Sequence, residues 1–370
     1  MEKIKTGVST NKAISGAVSE VKTTIGPMDI KTLVFFASSA YEPAALSRAM
    51  KDAFPDAVVF GCTTAGEIVT GKMLKGSLVA MAFSPGVITD VAISVMKGIK
   101  QGPVAPKVDE AFMSFQKHYG CTMQQLDFSQ YVGMILVDGL SVAEEKIMDR
   151  IGDLTNITFI GGSAGDDLKF ERTYVFADGE AYTDAAILAL IKTAAGFDII
   201  KTQSFYATGK RLIATEVDEA NREVISFDNK PAVVAYAEAL GTTVEDAPNH
   251  FMSHPLGLLA GDEIFVRSPQ QIKGGRMVFY CNILQGTELA LLNSTDIISD
   301  TDKAIKAKLG NNTAGMINFH CILRTLELEN NKLTDNYGRL FSDVPTVGFS
   351  TYGEEYLAHI NQTSTMLLLK

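Results

Sequence analysis

Five histidines are spread along the chain: His118, His250, His254, His320 and His359. An imidazole is the side chain most often found on haem iron and on many metals, so their neighbours decide what each can do. His118 sits in Lys117-His118-Tyr119-Gly120, which reads as a polar helix end where a cation suits the helix dipole. His250 and His254 are four apart and would share a face if helical, but Asn249 and Pro255 beside them point to a loop. His320 lies on an apolar strand next to Cys321, where it is either a hydrogen-bonded core imidazole or a ligand. His359, in His359-Ile360-Asn361-Gln362-Thr363, either pins a loop or ligates. The cysteines Cys62, Cys121, Cys281 and Cys321 form no CxxC pair and read as reduced thiols. A Cys62 nucleophile with His359 as its base is a further option. No GxSxG, HExxH or GxxxxGK[ST] pattern occurs. Met1-Glu2, which lies outside the residues described below, offers no N-terminal nucleophile.

Three strand ends repeat one pattern: Gly61-Cys62-Thr63-Thr64-Ala65-Gly66-Glu67, Gly161-Gly162-Ser163-Ala164-Gly165-Asp166 and Gly348-Phe349-Ser350-Thr351-Tyr352-Gly353-Glu354. Aligned from the right, each reads hydroxyl, Ala or Tyr, Gly, carboxylate. One reading is structural, with glycine supplying positive φ at a bulge and the acid capping backbone N–H groups. The other is a ligand crevice at strand carboxyl ends. Thr63, Thr64, Ser350, Thr351 and Tyr352 would then hydrogen-bond a small polar ligand, with Glu67 and Glu354 beside them.

The surroundings repeat too, which marks one supersecondary unit used several times. In the first copy, strand 32–37 precedes a helix over 41–54, with Pro43 in its first turn and Pro55 after it. Strand 56–60 leads into the motif and strand 76–83 returns. The second copy has strand 131–137 and a helix over 141–154, with Ser141 as N-cap and Glu144 completing a capping box. Strand 156–160, a turn at Asp178-Gly179 and strand 185–191 follow. The third has strand 314–321, a less periodic polar segment over 325–343 in place of the helix, strand 344–347 and strand 363–369.

Between the second and third copies lies a different region. Strands with polar turns fill 201–227, a helix spans 231–240 with Gly241 as its stop, strands follow at 263–267, 276–281 and 287–292, and an amphipathic helix covers 296–309. The fold class is α/β: repeated β-α-β-β units forming mixed sheets covered by helices, in two closely packed domains. Residues 1–200 hold two copies, and residues 201–370 hold the third at their C-terminal end. A net charge of −10 argues against nucleic-acid and anionic-membrane partners. The absence of an apolar leader or of any run long enough to span a bilayer leads to a cytoplasmic expectation.

Gly61-Cys62-Thr63-Thr64-Ala65-Gly66-Glu67-Ile68, Gly161-Gly162-Ser163-Ala164-Gly165-Asp166-Asp167 and Pro255-Leu256-Gly257-Leu258 together resemble the FIST N and FIST C sensory domains, from about residue 32 to the end. That resemblance implies a ligand-binding module of signal transduction, with FIST N over 1–200 and FIST C over 201–370, and not an enzyme. Cys321-Ile322-Leu323-Arg324, Phe349 to Glu355 and His359 to Thr363 resemble the stand-alone FIST proteins that bind haem and sense nitric oxide. This implies haem b, with His359 as axial ligand and His320 next, Tyr352 and Arg324 nearby, and a partner histidine kinase or cyclic-di-GMP enzyme. A metal-free pocket for an amino acid or similar metabolite is the alternative.

Overall fold

The computed structural model describes residues 3–310 and 312–370. It is a mixed α/β fold with two compact units. Residues 3–201, 304–358 and 364–370 form the larger, and 202–303 with 359–363 form the smaller.

The first copy runs β1 (Ile4–Ser9), α1 (Ile14–Ile25), β2 (Thr32–Ser38), α2 (Pro43–Ala53), β3 (Val58–Thr64), a hairpin β4 (Glu67–Val69) and β5 (Lys72–Leu74), then β6 (Leu78–Phe83). The second repeats that order as β7 (Ile88–Lys97), α3 (Ala105–Tyr119), β8 (Tyr131–Val137), α4 (Glu144–Leu154), β9 (Phe159–Ser163), β10 (Val175–Ala177), β11 (Glu180–Tyr182) and β12 (Ala185–Thr193). The third opens with β13 (Phe197–Gln203) and is then interrupted by the smaller unit. That unit contains β14 (Phe205–Asp218), β15 (Glu223–Phe227), β16 (Lys230–Pro231), α5 (Ala232–Leu240), β17 (Leu256–Ala260), β18 (Glu263–Arg267), β19 (Pro269–Lys273), β20 (Arg276–Phe279) and β21 (Glu288–Ser294). The third copy resumes with α6 (Ile297–Lys308), β22 (Gly315–Cys321), α7 (Ile322–Asn330), α8 (Thr334–Arg339), β23 (Thr346–Thr351), β24 (Glu354–Tyr356), β25 (Ala358–Ile360) and β26 (Thr363–Leu369). The repeat is therefore longer than β-α-β-β, because each copy also has a leading strand and helix. Those were hidden in sequence by the roughly hundred-residue insertion between β13 and α6.

In each copy two central strands are parallel and joined by a helix: β2 with β3, β8 with β9, β22 with β23. The last strand of the copy pairs antiparallel with the first of these, and the leading strand closes the edge of β6 and of β12. The hairpin after each motif leaves its own copy. β4 pairs with β23 of the third, β10 with β3 of the first, and β24 with β9 of the second. The sheets accordingly run β1-β6-β2-β3-β10-β11, β24-β9-β8-β12-β7 and β13-β26-β22-β23-β4-β5. This exchange is why the third copy belongs to the larger unit and not, as the sequence division at residue 200 has it, to a separate C-terminal domain.

Strands buried on both faces read as continuous apolar runs, and β2, β8 and β22 are buried at every position. Their inner faces share one core, in which Phe36 packs on Phe349 at 4.6 Å and on Phe319 at 6.5 Å between ring centroids. The outer faces of the first two sheets pack beneath α1 and α2, and beneath α3 and α4. Burying one such phenylalanine is worth about 1.5–3 kcal/mol. The smaller unit has its own sheet, β18-β17-β21-β14-β15-β20-β19, and its own core around Tyr236 on α5.

Two local expectations are corrected. α4 begins at Glu144 with Ala143 before it and no side-chain cap. Ser141 instead accepts the N–H of Ala143, and the Glu144 carboxylate accepts the Ser163 hydroxyl, so no capping box forms. The polar stretch 325–343 is helical in two short pieces, α7 and α8, because its polar side chains face a polar interior and so break the apolar periodicity.

Candidate functional site

The three motifs align in space from their first glycine, not from the right. Gly61, Gly161 and Gly348 face Phe35, Ile135 and Asn318 on the parallel neighbour strand. A Cβ there would lie 1.8, 1.7 and 2.1 Å from those residues' carbonyl oxygens, so only glycine lets the strands pair. In that register Thr63, Ser163 and Ser350 correspond, and the second motif is offset by one residue at its acidic end.

The three corners meet and interlock cyclically. Gly165 N donates to Thr63 O at 3.0 Å, Ser163 N to Gly353 O at 2.9 Å, and Ser350 N to Gly66 O at 2.7 Å. Most predicted hydroxyls are used in this lock. Thr351 Oγ1 donates to Ser163 O, Thr64 hydrogen-bonds Glu67, and Ser350 shares a hydrogen bond of 2.7 Å with Thr325. Glu67, 1% exposed, also accepts the N–H and hydroxyl of Ser77 at 2.9 and 2.6 Å. Burial pushes its carboxyl up to about 7, against the hydrogen bonds from Ser77 and Thr64 and with help from the Asp167 charge. Glu354 is fully buried.

Where the first and second corners join, a cavity of about 230 Å³ opens, lined by Ser39, Thr63, Asp166, Lys169, Arg172 and Tyr174, with Glu171 and Pro43. Of the predicted ligand-binding residues, Thr63 alone is on this wall, and its Oγ1 accepts the Tyr174 N–H at 2.9 Å. Lys169 Nζ donates to Ser39 Oγ at 2.9 Å, and the Arg172 guanidinium donates to Tyr174 Oη at 3.2 Å. The strap 166–172 is tightly held although Asp167, Leu168 and Phe170 all have left-handed backbones, at φ 56°, 64° and 54°. Asp166 accepts the N–H groups of Phe170, Glu171 and Arg172 at 2.9, 2.7 and 2.9 Å. Asp167 accepts Ser38 Oγ and Ser39 Oγ at 2.9 and 2.6 Å. Tyr352, from the third corner, donates to Asp166 at 2.5 Å, accepts Leu168 N at 3.0 Å and stacks on Phe170. Burial raises the Asp166 carboxyl, but the Tyr352 hydroxyl and three N–H donors win and hold it below the ordinary range. The same environment raises the Tyr352 phenol. Sequence reasoning used Asp166 and Asp167 only as motif letters. The signal missed was the charged run Asp166-Asp167-Leu168-Lys169-Phe170-Glu171-Arg172 directly after a glycine corner.

The histidines lie elsewhere. His118 hydrogen-bonds Asp90 at 2.8 Å, and His250 hydrogen-bonds Asp246 at 2.9 Å in a short turn. His359 belongs to the smaller unit, is 3% exposed, and sets Nε2 3.3 Å from the Tyr280 carbonyl. His320 is fully buried in the larger unit, with Nδ1 2.9 Å from Tyr337 Oη. Burial and the Arg324 charge hold it well below its ordinary 6.5, so it is neutral. Positions equivalent to Asn318 and His320 are Phe35 and Ala37 in the first copy and Ile135 and Val137 in the second. The third copy thus has a polar interior where the others are apolar. Arg324 is 1% exposed within it. Neither His320 nor His359 is on the wall of the cavity above; they lie in different compact units, and His320 Nε2 is buried without a hydrogen-bond partner. Among the described residues no group of three or more His, Cys, Asp and Glu is arranged to hold a metal ion. Cys62 is buried, and burial pushes its thiol well up, opposite to what a nucleophile needs.

Residues 31–230 match the FIST N domain and residues 232–356 the FIST C domain. The chain belongs to the FIST family, whose domains are small-ligand sensing modules of signal transduction. An uncharacterized protein of Methanocaldococcus jannaschii is 24% identical over 311 residues, 78% of this chain and 57% of that one. The chain thus spans little more than half the length of this curated relative. A crystal structure of cyanuric acid hydrolase from A. caulinodans aligns over 100% of this chain and 99% of its own at 8% identity and a TM-score of 0.34, too weak to bear on fold or chemistry. No described helix is long and apolar enough to cross a membrane.

Proposed function

We propose that this FIST protein senses a small zwitterion of the α-amino-acid type, bound in the cavity between the first and second corners and released unchanged. One observation carries the reading. A cavity of about 230 Å³ brings two cations, Lys169 and Arg172, and two carboxylates, Asp166 and Glu171, to one wall with the Ser39 and Thr63 hydroxyls. A guanidinium and an ammonium suit a ligand carboxylate, and a carboxylate kept ionised suits a ligand ammonium. The volume is below that of drug-sized pockets, which is the right scale for a small metabolite. The strap that supplies four of these residues is tied to the third copy through Tyr352, so an occupant that pulls on Arg172 bears on a segment held from all three copies. Output to a separate histidine kinase or cyclic-di-GMP enzyme follows the family resemblance, and the strap is the surface such a partner would read.

Thermal shift against the common amino acids tests this, since a ligand bound only by the native state raises the melting temperature. One or a few should stabilise the protein, and Arg172→Ala should remove that response while leaving the ligand-free melting temperature nearly unchanged. A panel without effect, or an effect that survives in Arg172→Ala, rejects the assignment. Haem b and nitric oxide are checked separately by an absorbance scan, where a Soret band in the pure protein that shifts with nitric oxide would replace this reading.

A further inference from the structure

The strap beside the cavity is an addition to the repeat. Glu67, which opens hairpin β4–β5, follows Gly61 by six positions, and Glu354, which opens β24, follows Gly348 by six. Val175, which opens β10, follows Gly161 by fourteen. Yet all three hold the same station: Glu67 pairs with Phe349, Glu354 with Gly162 and Val175 with Cys62, each one residue past a corner glycine. The first and third copies make their junctions without a strap, so the exchange of hairpins does not call for its charges.

Those charges divide into one that is used and three that are not. Asp166 Oδ1 accepts Phe170 N and Tyr352 Oη, and Oδ2 accepts Glu171 N and Arg172 N. All four lone-pair directions of the carboxylate are taken, so an incoming ammonium finds no open acceptor there unless it displaces one of these donors. Lys169 gives a single N–H to Ser39 Oγ, and Arg172 a single one to Tyr174 Oη. Among the described residues Lys169, Glu171 and Arg172 form no ion pair. All three line the cavity. Two cations and one open carboxylate are therefore left for an occupant, and their complement is a molecule with two carboxylates and one ammonium.

We propose, resting on the reading of this cavity as a zwitterion site, that its ligand is an acidic amino acid whose side-chain carboxylate is recognised by Lys169. The α-carboxylate and α-ammonium leave one carbon and fall to the consecutive residues Arg172 and Glu171, with the planar guanidinium giving two parallel N–H groups to the carboxylate. Lys169, on the Ser39 side of the wall, meets the second carboxylate as a point charge. A side-chain amide of the same shape brings no charge to Lys169, and its NH2 is a donor that an ammonium cannot accept.

The test is calorimetric titration of the whole protein with aspartate and glutamate, with their neutral isosteres asparagine and glutamine, and with succinate and glutarate, the same diacids without the ammonium. One acidic amino acid should bind about tenfold tighter than its amide, and tighter than its diacid. Lys169→Met should bring that acid down to the affinity of the amide and leave the ligand-free melting temperature unchanged. Amides that bind as tightly as the acids, or a preference for the acid that survives in Lys169→Met, overturn this inference and leave the zwitterion site standing. No binding by any amino acid, or diacids that bind as tightly as the amino acids, remove the zwitterion site and this inference with it. If Lys169→Met does not fold, the comparison of acid with amide on the parent decides.

Discussion

Glu67 should make the larger unit less stable as the solution turns neutral. Its carboxyl is 1% exposed, and burial, opposed by hydrogen bonds from Ser77 and Thr64, raises it from 4.5 to about 7 in the folded chain. Unfolded, it titrates at an ordinary value. Between these points the native state binds the proton that the unfolded state has lost, so the sign is fixed. The contribution is fully present below about pH 4.5, falls through the window, and is gone above about pH 7. The span corresponds to about 3 kcal/mol. Glu67→Gln isolates this effect. Its amide oxygen can still accept the Ser77 N–H, its NH2 can donate to the Thr64 oxygen, and it has no charge to develop. Urea unfolding of both proteins from pH 4.5 to 8 gives the difference directly, provided the slope with denaturant stays equal. The glutamine protein should gain on the parent progressively, by about 3 kcal/mol over that range. A difference that stays flat with pH would show that Ser77 and Thr64 fully compensate the charge, and the reasoning from burial would fail.

Alanine at Gly61, Gly161 or Gly348 should cost more than about 3 kcal/mol or abolish soluble protein, since each Cβ would strike a backbone carbonyl. Gly152→Ala, at an exposed position of α4 with nothing within 4 Å, should instead stabilise by up to about 1 kcal/mol, and urea midpoints compare the four. Tyr352→Phe should lose about 1–3 kcal/mol, because the Leu168 N–H loses its acceptor and Asp166 a donor. Hydrogen exchange should then quicken across 167–172 before it does elsewhere. Cys62 should not react with iodoacetamide in the native protein, and modification at the rate of a free thiol would contradict its burial.

Elements with their own periodicity or punctuation could be read from the sequence. α2 shows Pro43 and its apolar stripe, α5 stops at Gly241 with φ 84°, and the β10–β11 turn forms at Asp178 and Gly179. Pairing could not be read. Nothing in Glu67-Ile68-Val69 says that it adds to β23 of the third copy, because a hairpin's own residues specify its turn and not its host sheet. α7 escaped for another reason. It buries Arg324 and Thr325, so polar letters occupy core positions and the apolar period vanishes. The site was half legible. The corners were visible because glycine is compulsory there, yet the hydroxyls in them bind backbone and side chains of the protein itself. The charges that reach the cavity sit one strap further on.

The exchange of hairpins bears directly on how a sensor of this kind can work. Each corner sends its hairpin to a neighbour, in a closed cycle from first to third, third to second and second to first. No copy completes its sheet alone, so a ligand cannot act on one copy and leave the others untouched. The cavity is made at such a junction, with Ser39 and Thr63 from the first copy and Asp166, Lys169 and Arg172 from the second. Asp166 is in turn held by Tyr352 of the third. A ligand that competes for Asp166 must therefore weaken either its backbone donors or the Tyr352 contact. The donors belong to the strap itself and Tyr352 to the third copy, and both hold a strap whose left-handed residues would relax once released. In the proposed reading, binding energy would become a change in an exposed segment through one carboxylate.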